Sequence, residues 1–413
     1  MDERELTGNG CCSTNETGIS LLPEVGYFQV NHEGEKICGD VFLSKRIPEE
    51  NRVLCVLSDG MGHGVRANVL ATLTATMALN FSLEHKDANA LAGIIMKALP
   101  VCGERKISYA TYTIIDISVD GHLVSILEFD NPQALIMRGT RIFQPEWTHV
   151  KYIGDVKDKR IMDLKKCIFI PQMEDRIVFC SDGIIQSGLG KGLTMGWGRN
   201  DWVRFVREVI ETTPTISAAD LAERVVKRAS ANDLHTPKDD LTCSVVYFRQ
   251  PRKAMLCTGP PFSPAKDHEF ATKLKNFKGK KIVSGATTTE IIARELGRTV
   301  TNEERIDPAL PPSSKIKGID LVTEGVLTLS KATYLLNNLN LNSTIQWGKG
   351  PADQICKLVL DSDEIFILVG TKINENHHDP TLPVEIEIRK HLIQRLTKVL
   401  SEKFMKIITV EYM

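Results

Sequence analysis

The chain has 413 residues, 42% of them hydrophobic and 25% charged, and a formal net charge of -1. That length exceeds the size at which one hydrophobic core usually keeps growing, so about two soluble globular domains are expected. The balanced charge gives no electrostatic footing for nucleic acid or an anionic membrane, and no apolar run approaches the ~20 residues of a membrane span.

Ten cysteines are scattered along the chain. Cys38, Cys55, Cys180 and Cys243 lie in or beside apolar strand-like runs, where cysteine acts as a small hydrophobe, and no pair has Cys-x-x-Cys spacing. Cys11-Cys12 reads as incidental. The charged start, Met1-Asp2-Glu3-Arg4-Glu5, lacks the apolar core of a signal peptide. A reduced, cytoplasmic protein is the expectation.

Residues 1–20 are polar and turn-rich and read as a flexible lead-in. Strands are expected at Gly26 to Val30, Asp40 to Leu43 and Arg52 to Leu57, with turn chemistry over Asn31 to Glu35. After Gly64 the pattern becomes helical: Val65 to Leu83, then a second helix over Asp87 to Leu99. Tyr109 to Val119 and Leu123 to Phe129 flank Asp120-Gly121, which is hairpin chemistry, and Ala134 to Arg138 with Arg141 to Phe143 form another hairpin. Cys167 to Ile170 and Arg176 to Ser181 continue the meander. Helices follow at Arg199 to Thr212 and at Ser217 to Ala231, with Ser217 as N-cap, and a strand at Cys243 to Phe248 closes the set. Strands, two helices, more strands, two helices and a strand make an α+β layered domain over residues 21–250.

Pro-rich residues 251–279 read as a linker to a domain at 280–413. There a strand at Lys281 to Gly285 leads to a helix over Thr287 to Gly297. A helix from Leu329 to Leu339, strands at Ile355 to Leu360 and Glu364 to Gly370, a helix from Glu387 to Ser401 and a terminal strand follow. The alternation predicts a smaller α/β, Rossmann-like domain.

Four aspartates stand at strand ends: Asp40, Asp59 in Ser58-Asp59-Gly60-Met61-Gly62-His63-Gly64, Asp182 in Ser181-Asp182-Gly183, and Asp239 beside Asp240 in Asp239-Asp240-Leu241-Thr242. A lone Asp-Gly is most often a turn, as at Asp120-Gly121. The others differ because each abuts a strongly apolar strand. Carboxylates gathered there repel one another and are costly to bury unpaired, and hard divalent cations such as Mg²⁺ or Mn²⁺ would relieve both. Two such ions would acidify a water and neutralise charge on a phosphoryl group.

Gly39-Asp40, Ser58 to Gly64, Ser181-Asp182-Gly183 and Asp239 to Thr242 resemble, in order, the motif series of the PPM metal-dependent serine/threonine phosphatases. The Met-Gly-His-Gly variant is similar to the stage II sporulation protein E branch. The resemblance covers roughly residues 20–250 and implies two central antiparallel sheets flanked by helix pairs, an α-β-β-α sandwich with a dinuclear Mn²⁺/Mg²⁺ site at one end. It implies Asp59 as bridge between two Mn²⁺ or Mg²⁺ ions, the Gly60 carbonyl and Asp40 on one ion, and Asp182 and Asp239 on the other. Asp240 stands where the family often has Asn and would lie behind the ligands. His63 is either a proton donor to the leaving oxygen or structural. The arginine that grips phosphate in eukaryotic members has no evident counterpart. The helices after the Gly-rich turn, Val65 to Leu99, would act as a switch completing the site.

Gly285, Thr287 and Thr288, between strand and helix, form a candidate anion site or a plain N-cap run. They resemble the Gly-Thr-Thr turn of the sugar-phosphate-sensing domains of DeoR-type regulators, with Glu324 to Thr328 as a possible echo of a later loop. The leading expectation is a phosphoserine/phosphothreonine phosphatase acting on a bacterial regulatory protein, such as an anti-sigma-factor antagonist, with a C-terminal domain that regulates it or selects its target. The alternative is a catalytically silent phosphatase-fold binding or sensor protein whose C-terminal domain takes a small phosphorylated ligand. A third reading makes the C-terminal half a small-molecule enzyme, although no nucleophile–base pair stands out there.

Overall fold

The computed structural model describes residues 21–84, 90, 93–95, 110–153, 161–339, 347–372 and 383–413. They divide into two units, Met1–Gln250 and Pro251–Met413. The lead-in at 1–20 and most of the helix expected over Asp87 to Leu99 lie outside the described residues.

The first unit contains strands β1 (Leu22–Val30), β2 (Asp40–Ile47), β3 (Arg52–Gly60), β4 (Ala110–Ser118), β5 (Leu123–Phe129), β6 (Leu135–Arg138), β7 (Arg141–Phe143), β8 (Trp147–Ile153), β9 (Ile161–Phe169), β10 (Asp175–Cys180) and β11 (Leu241–Arg249). Its helices are α1 (Gly64–Leu83), the short α2 (Asp182–Gln186), α3 (Gly198–Thr212) and α4 (Ala218–Asn232). Two antiparallel sheets form, ordered β2-β3-β4-β5-β9-β8 and β1-β11-β10-β6-β7. The expected meander from β9 into β10 is therefore corrected: the chain changes sheets there, because the apolar inner faces of both strands belong to a core shared between sheets. Strand β8 has no counterpart among the expected elements; its alternation of Trp, His and Lys is too polar to stand out.

Alternation within the strands builds the layers. Val53, Cys55 and Leu57 of β3 point between the sheets, with Ile115, Ile117 and Ile126, and meet Ile136, Ile177, Phe179, Val246 and Phe248 of the other sheet. Val56 points outward to α1, whose Ala67, Ala71, Ala75 and Ala78 are buried at helical spacing. On the opposite outer face, Trp202, Val206 and Ile210 of α3 and Leu221, Val225 and Ala229 of α4 cover β10 and β11. Ser217 caps α4 as expected, accepting the Asp220 N–H at 3.0 Å. The result is the α-β-β-α sandwich.

The second unit contains β12 (Lys253–Thr258), β13 (Lys280–Ser284), β14 (Thr301–Asn302), β15 (Ser314–Lys315), β16 (Leu321–Thr323), β17 (Glu364–Val369) and β18 (Ile407–Tyr412). Helices α5 (Asp267–Asn276), α6 (Ala286–Leu296), α7 (Gly325–Asn338), α8 (Pro351–Leu360) and α9 (Pro383–Lys398) join them. The parallel part of the sheet runs β16-β13-β12-β17-β18, a doubly wound order, and β14 and β15 add an antiparallel edge. Helices α5 and α6 cover one face, and α7, α8 and α9 the other.

Two expectations fail in this unit. Residues 251–279 are not a linker: β12 is the middle strand of the parallel part and α5 buries Phe270 and Leu274. The prolines that suggested a linker flank the short strand, Pro251 before it and Pro260, Pro261 and Pro264 after it. Ile355 to Leu360 is not a strand but the end of α8, which begins at Pro351 and buries Ala352, Ile355, Cys356 and Val359, the stripe of an amphipathic helix.

Glu128 in β5 is buried, with Oε1 accepting the Ala134 N–H at 2.7 Å and Oε2 lacking a partner. Burial pushes its carboxyl from the ordinary 4.5 up to about 7, against the Ala134 N–H and the charges of Lys165 and Arg199. A carboxyl raised in the folded state contributes most below its unfolded value, and the contribution is lost as pH rises through about 7. Glu128→Gln should therefore stabilise the protein at pH 8 relative to pH 5 by on the order of 2 kcal/mol. Urea unfolding at both pH values measures this; parallel pH profiles for variant and wild type would count against it.

Candidate active site

Asp40 opens β2 and Asp59 nearly closes β3, and the antiparallel register sets them directly opposite. Like charges at such a position destabilise a strand pair unless something else holds them. Asp182 begins α2 just past β10, and Asp239 and Asp240 precede β11, so the other sheet delivers its acids to the same end. Strand ends of both sheets thus bring Asp40, Asp59, Asp182, Asp239 and Asp240 together.

The sheets are tied at this point through Ser181. Its hydroxyl donates to Asp40 Oδ2 at 2.7 Å and accepts the Thr242 N–H at 3.2 Å. Asp182 Oδ2 accepts from Gln186 Nε2 at 2.7 Å, one turn along α2. Asp239 Oδ1 accepts the Asp240 N–H, and Asp240 Oδ1 accepts the His32 N–H, both at 2.9 Å. Asp240 Oδ2 is buried without a hydrogen-bond partner, next to the weakly donating Cys38 thiol.

Burial raises all four principal acids. Asp59 is lifted far above the carboxylate range by burial and then by the charges of Asp40, Asp182 and Asp239. Asp40 is raised by burial, opposed by the Thr242 and Ser181 hydroxyls. Asp182 is raised by burial, and Asp130, at the end of β5, adds repulsion. Asp239 is pushed up to about 6 by burial and by Asp182. His32 is the single cation-capable side chain among these causes.

A cluster of oxygen donors that repel one another fits hard divalent cations. Among the described residues, no group of three or more His, Cys, Asp and Glu side chains stands ready around one ion position. The charge of Asp182 is among the causes that raise Asp59, so the two carboxyls lie within reach of each other's field. The donor chemistry of the cluster suits metal.

Glycine makes the close approaches possible. A Cβ on Gly60 would lie 2.0 Å from the Ala67 carbonyl oxygen, on Gly183 2.3 Å from the Asp240 carbonyl oxygen, and on Gly39 2.6 Å from Asp240 Oδ2. Gly60 is thus pressed between the end of β3 and α1.

His63 caps α1 in extended conformation without a side-chain capping bond. Its Nδ1 lies 2.8 Å from Glu35 Oε1, and its ring stacks on His32 at 4.1 Å between centroids. Sequence reasoning missed Glu35, His32, Ser181, Gln186 and Thr242. Glu35 and His32 sit in a polar loop that reads as turn chemistry, and their partners are remote in sequence. Ser181 and Thr242 flank the motif acids, and that adjacency was the available signal.

Gly285, Thr287 and Thr288 belong to the second unit. Gly285, at φ 130°, precedes α6, and its N–H donates to the Thr323 carbonyl at 2.8 Å. Thr287 is exposed and Thr288 buried. A Cβ on Gly325, the first residue of α7, would lie 3.8 Å from Gly285 Cα, so two helix N-termini adjoin here.

Gly60→Ala should be strongly destabilising, by about 3 kcal/mol or more, because backbone would have to move. Gly34→Ala, at φ 84° in open space, should cost only about 1 kcal/mol. Thermal unfolding of the two variants compares them; equal losses would refute the packing argument.

No helix of the described residues is long and apolar enough to cross a membrane. Residues 49–249 match the family model of stage II sporulation protein E (SpoIIE). Similar solved structures include the phosphatase domain of SpoIIE from Bacillus subtilis, at 16% identity and TM-score 0.41 over 56% of this chain and 94% of that one. RsbX in complex with magnesium is 17% identical, with TM-score 0.39 over 55% of this chain and 100% of that one. The S. agalactiae serine/threonine phosphatase is 14% identical, with TM-score 0.39 over 55% and 99%. No curated protein matches the chain in sequence. By the match of residues 49–249 and the sandwich that carries their motifs, the first unit is a SpoIIE-type serine/threonine protein phosphatase of the PP2C/PPM family.

Proposed function

We propose that this phosphatase hydrolyses phosphoserine or phosphothreonine on a regulatory protein, using two Mn²⁺ or Mg²⁺ ions at the end of the sandwich. The observation that carries this reading is the meeting of acids from both sheets with no lysine or arginine among the main causes of their raised pKa values. Asp59, Asp40 and the Gly60 carbonyl would hold one ion, and Asp59, Asp182 and Asp239 the other. Bound ions would supply neutralisation of phosphoryl charge and a water acidified toward neutral pH.

The remaining work falls to this chain's own residues. Ser181 holds Asp40, Gln186 holds Asp182, and His32 holds Asp240, so the carboxylates are oriented before substrate arrives. His63 would give a proton to the departing serine or threonine oxygen. SpoIIE of Bacillus subtilis is a cell fate determinant, and another protein of similar structure belongs to the bacterial stressosome. A bacterial phosphoprotein such as an anti-sigma-factor antagonist is the substrate class this reading favours.

The second unit would regulate the phosphatase or select its target by binding a small phosphorylated ligand. Its support is the pair of adjoining helix N-termini at Gly285 and Gly325, where backbone N–H groups favour anions.

Hydrolysis of an aryl phosphate and a phosphoserine peptide should require Mn²⁺ or Mg²⁺ and be abolished by EDTA. Asp182→Asn should lower turnover by roughly 100-fold or more. Turnover that persists in EDTA would sink the metal mechanism. Isothermal titration of the full chain with a panel of phosphosugars and nucleotides should yield at least one binder, weakened by Thr288→Val; a flat panel would remove the ligand reading.

A further inference from the structure

Beside the acids lies a side-chain arrangement that no metal ligand requires. His63 Nδ1 is 2.8 Å from Glu35 Oε1, the His63 side chain is 53% exposed, and that of Glu35 is 33% exposed. The His32 ring lies over the His63 ring at 4.1 Å with an interplanar angle of 11°. The loop carrying both partners is itself fastened to the site, by the His32 N–H on Asp240 Oδ1 and by the Glu33 N–H on the Pro237 carbonyl, each at 2.9 Å. These bonds tie the loop to the segment that delivers Asp239 and Asp240.

Gly64, which follows His63 at φ 70°, is equally telling. A Cβ there would lie 2.6 Å from Glu35 Oε2, so the carboxylate occupies the space that a side chain would take. A carboxylate oxygen only accepts, so Nδ1 is the nitrogen that carries the hydrogen toward Glu35. Nε2 is left as the nitrogen free to exchange a proton. Stacking on His32 restricts the swing of the ring about its Cβ–Cγ bond.

We infer that Glu35 and His32 are positioning residues that hold the His63 imidazole with Nε2 toward the leaving oxygen of the phosphorylated substrate. This rests on the phosphatase reading above and deepens it. As the P–Oγ bond breaks, its electron pair goes to Oγ, and the Nε2 proton passes to Oγ to make the free hydroxyl. A water oxygen forms the new bond to phosphorus; one of its protons stays with the phosphate and the other is released to solvent, from which the exposed His63 regains its proton. The competing role for Glu35 is a simple one: a negative charge at the N-terminus of α1, stabilising the helix dipole. That role would not depend on the identity of the leaving group.

The test compares p-nitrophenyl phosphate, whose nitrophenolate departs without a proton, with a phosphoserine peptide, whose alkoxide does not. Both are measured with Mn²⁺ for wild type, His63→Ala, Glu35→Ala, Glu35→Gln and the His63→Ala/Glu35→Ala double variant. His63→Ala should lower kcat on the peptide by about 100-fold and on the aryl phosphate by less than about threefold. Glu35→Ala should show the same bias at about tenfold or more, and Glu35→Gln, whose amide oxygen can still accept from Nδ1, should recover part of it. In the double variant Glu35→Ala should add nothing to His63→Ala, the mark of a residue acting through another. Losses that are equal on both substrates, or additive in the double variant, overturn the inference and leave Glu35 a helix cap. If Glu35→Ala fails to fold, Glu35→Met, similar in size but with no oxygen to accept from Nδ1, takes its place, and an unchanged substrate ratio there overturns the inference. A wild type inert on both substrates would overturn the phosphatase reading, and this inference with it.

Discussion

Asp40 and Asp59 face each other across neighbouring strands, and the rest of the first unit is arranged so that this repulsion is tolerated rather than avoided. Each strand buys its place in the sandwich with apolar side chains further along, where Val53, Cys55 and Leu57 lock into the core. The acids ride on that packing. The Ser181 hydroxyl, reaching over from the other sheet, then satisfies Asp40 by hydrogen bonding rather than by opposite charge. Neutral donors keep the carboxylates oriented without cancelling the charge that a divalent cation needs.

This explains why glycine is concentrated where the two sheets end. Gly39, Gly60 and Gly183 each occupy a position where a methyl group would strike backbone or a carboxylate oxygen. Had any of these been larger, either the acids would stand further apart or α1 would lift from β3. The alanine stripe of α1 serves the same closeness: Ala67, Ala71, Ala75 and Ala78 let the helix approach the sheet until its backbone meets Gly60. Close packing and site geometry are here one constraint.

The second unit follows a different logic. A parallel sheet covered on both faces needs strands apolar throughout, and β12 and β17 satisfy that need. Its doubly wound order gathers the loops after β13 and β16, so that the starts of α6 and α7 adjoin. Nothing comparable to the acid cluster appears among its described residues. What the geometry does offer is backbone N–H groups at helix starts, which is chemistry for binding rather than for bond breaking.

Much of this could be read from the amino acids alone, because the forces involved are local. Alternating apolar residues, Asp-Gly turns and the Ser217 cap marked most strands and helices of the first unit, and the order of the four motif acids pointed to one family before any fold was known. Where local signals conflict, reading failed: prolines beside a six-residue strand disguised β12, and the apolar end of α8 looked like a strand until its full amphipathic stripe was seen. The sheet switch between β9 and β10 was invisible because pairing is decided by which inner faces meet. So were Glu35 and His32. Their roles come from the partners they touch, and those partners are set by how distant strand ends converge. Residue types determined that acids would gather at strand ends; only tertiary structure decided that Ser181 would hold Asp40, since a hydrogen bond between residues 141 apart leaves no pattern along the chain.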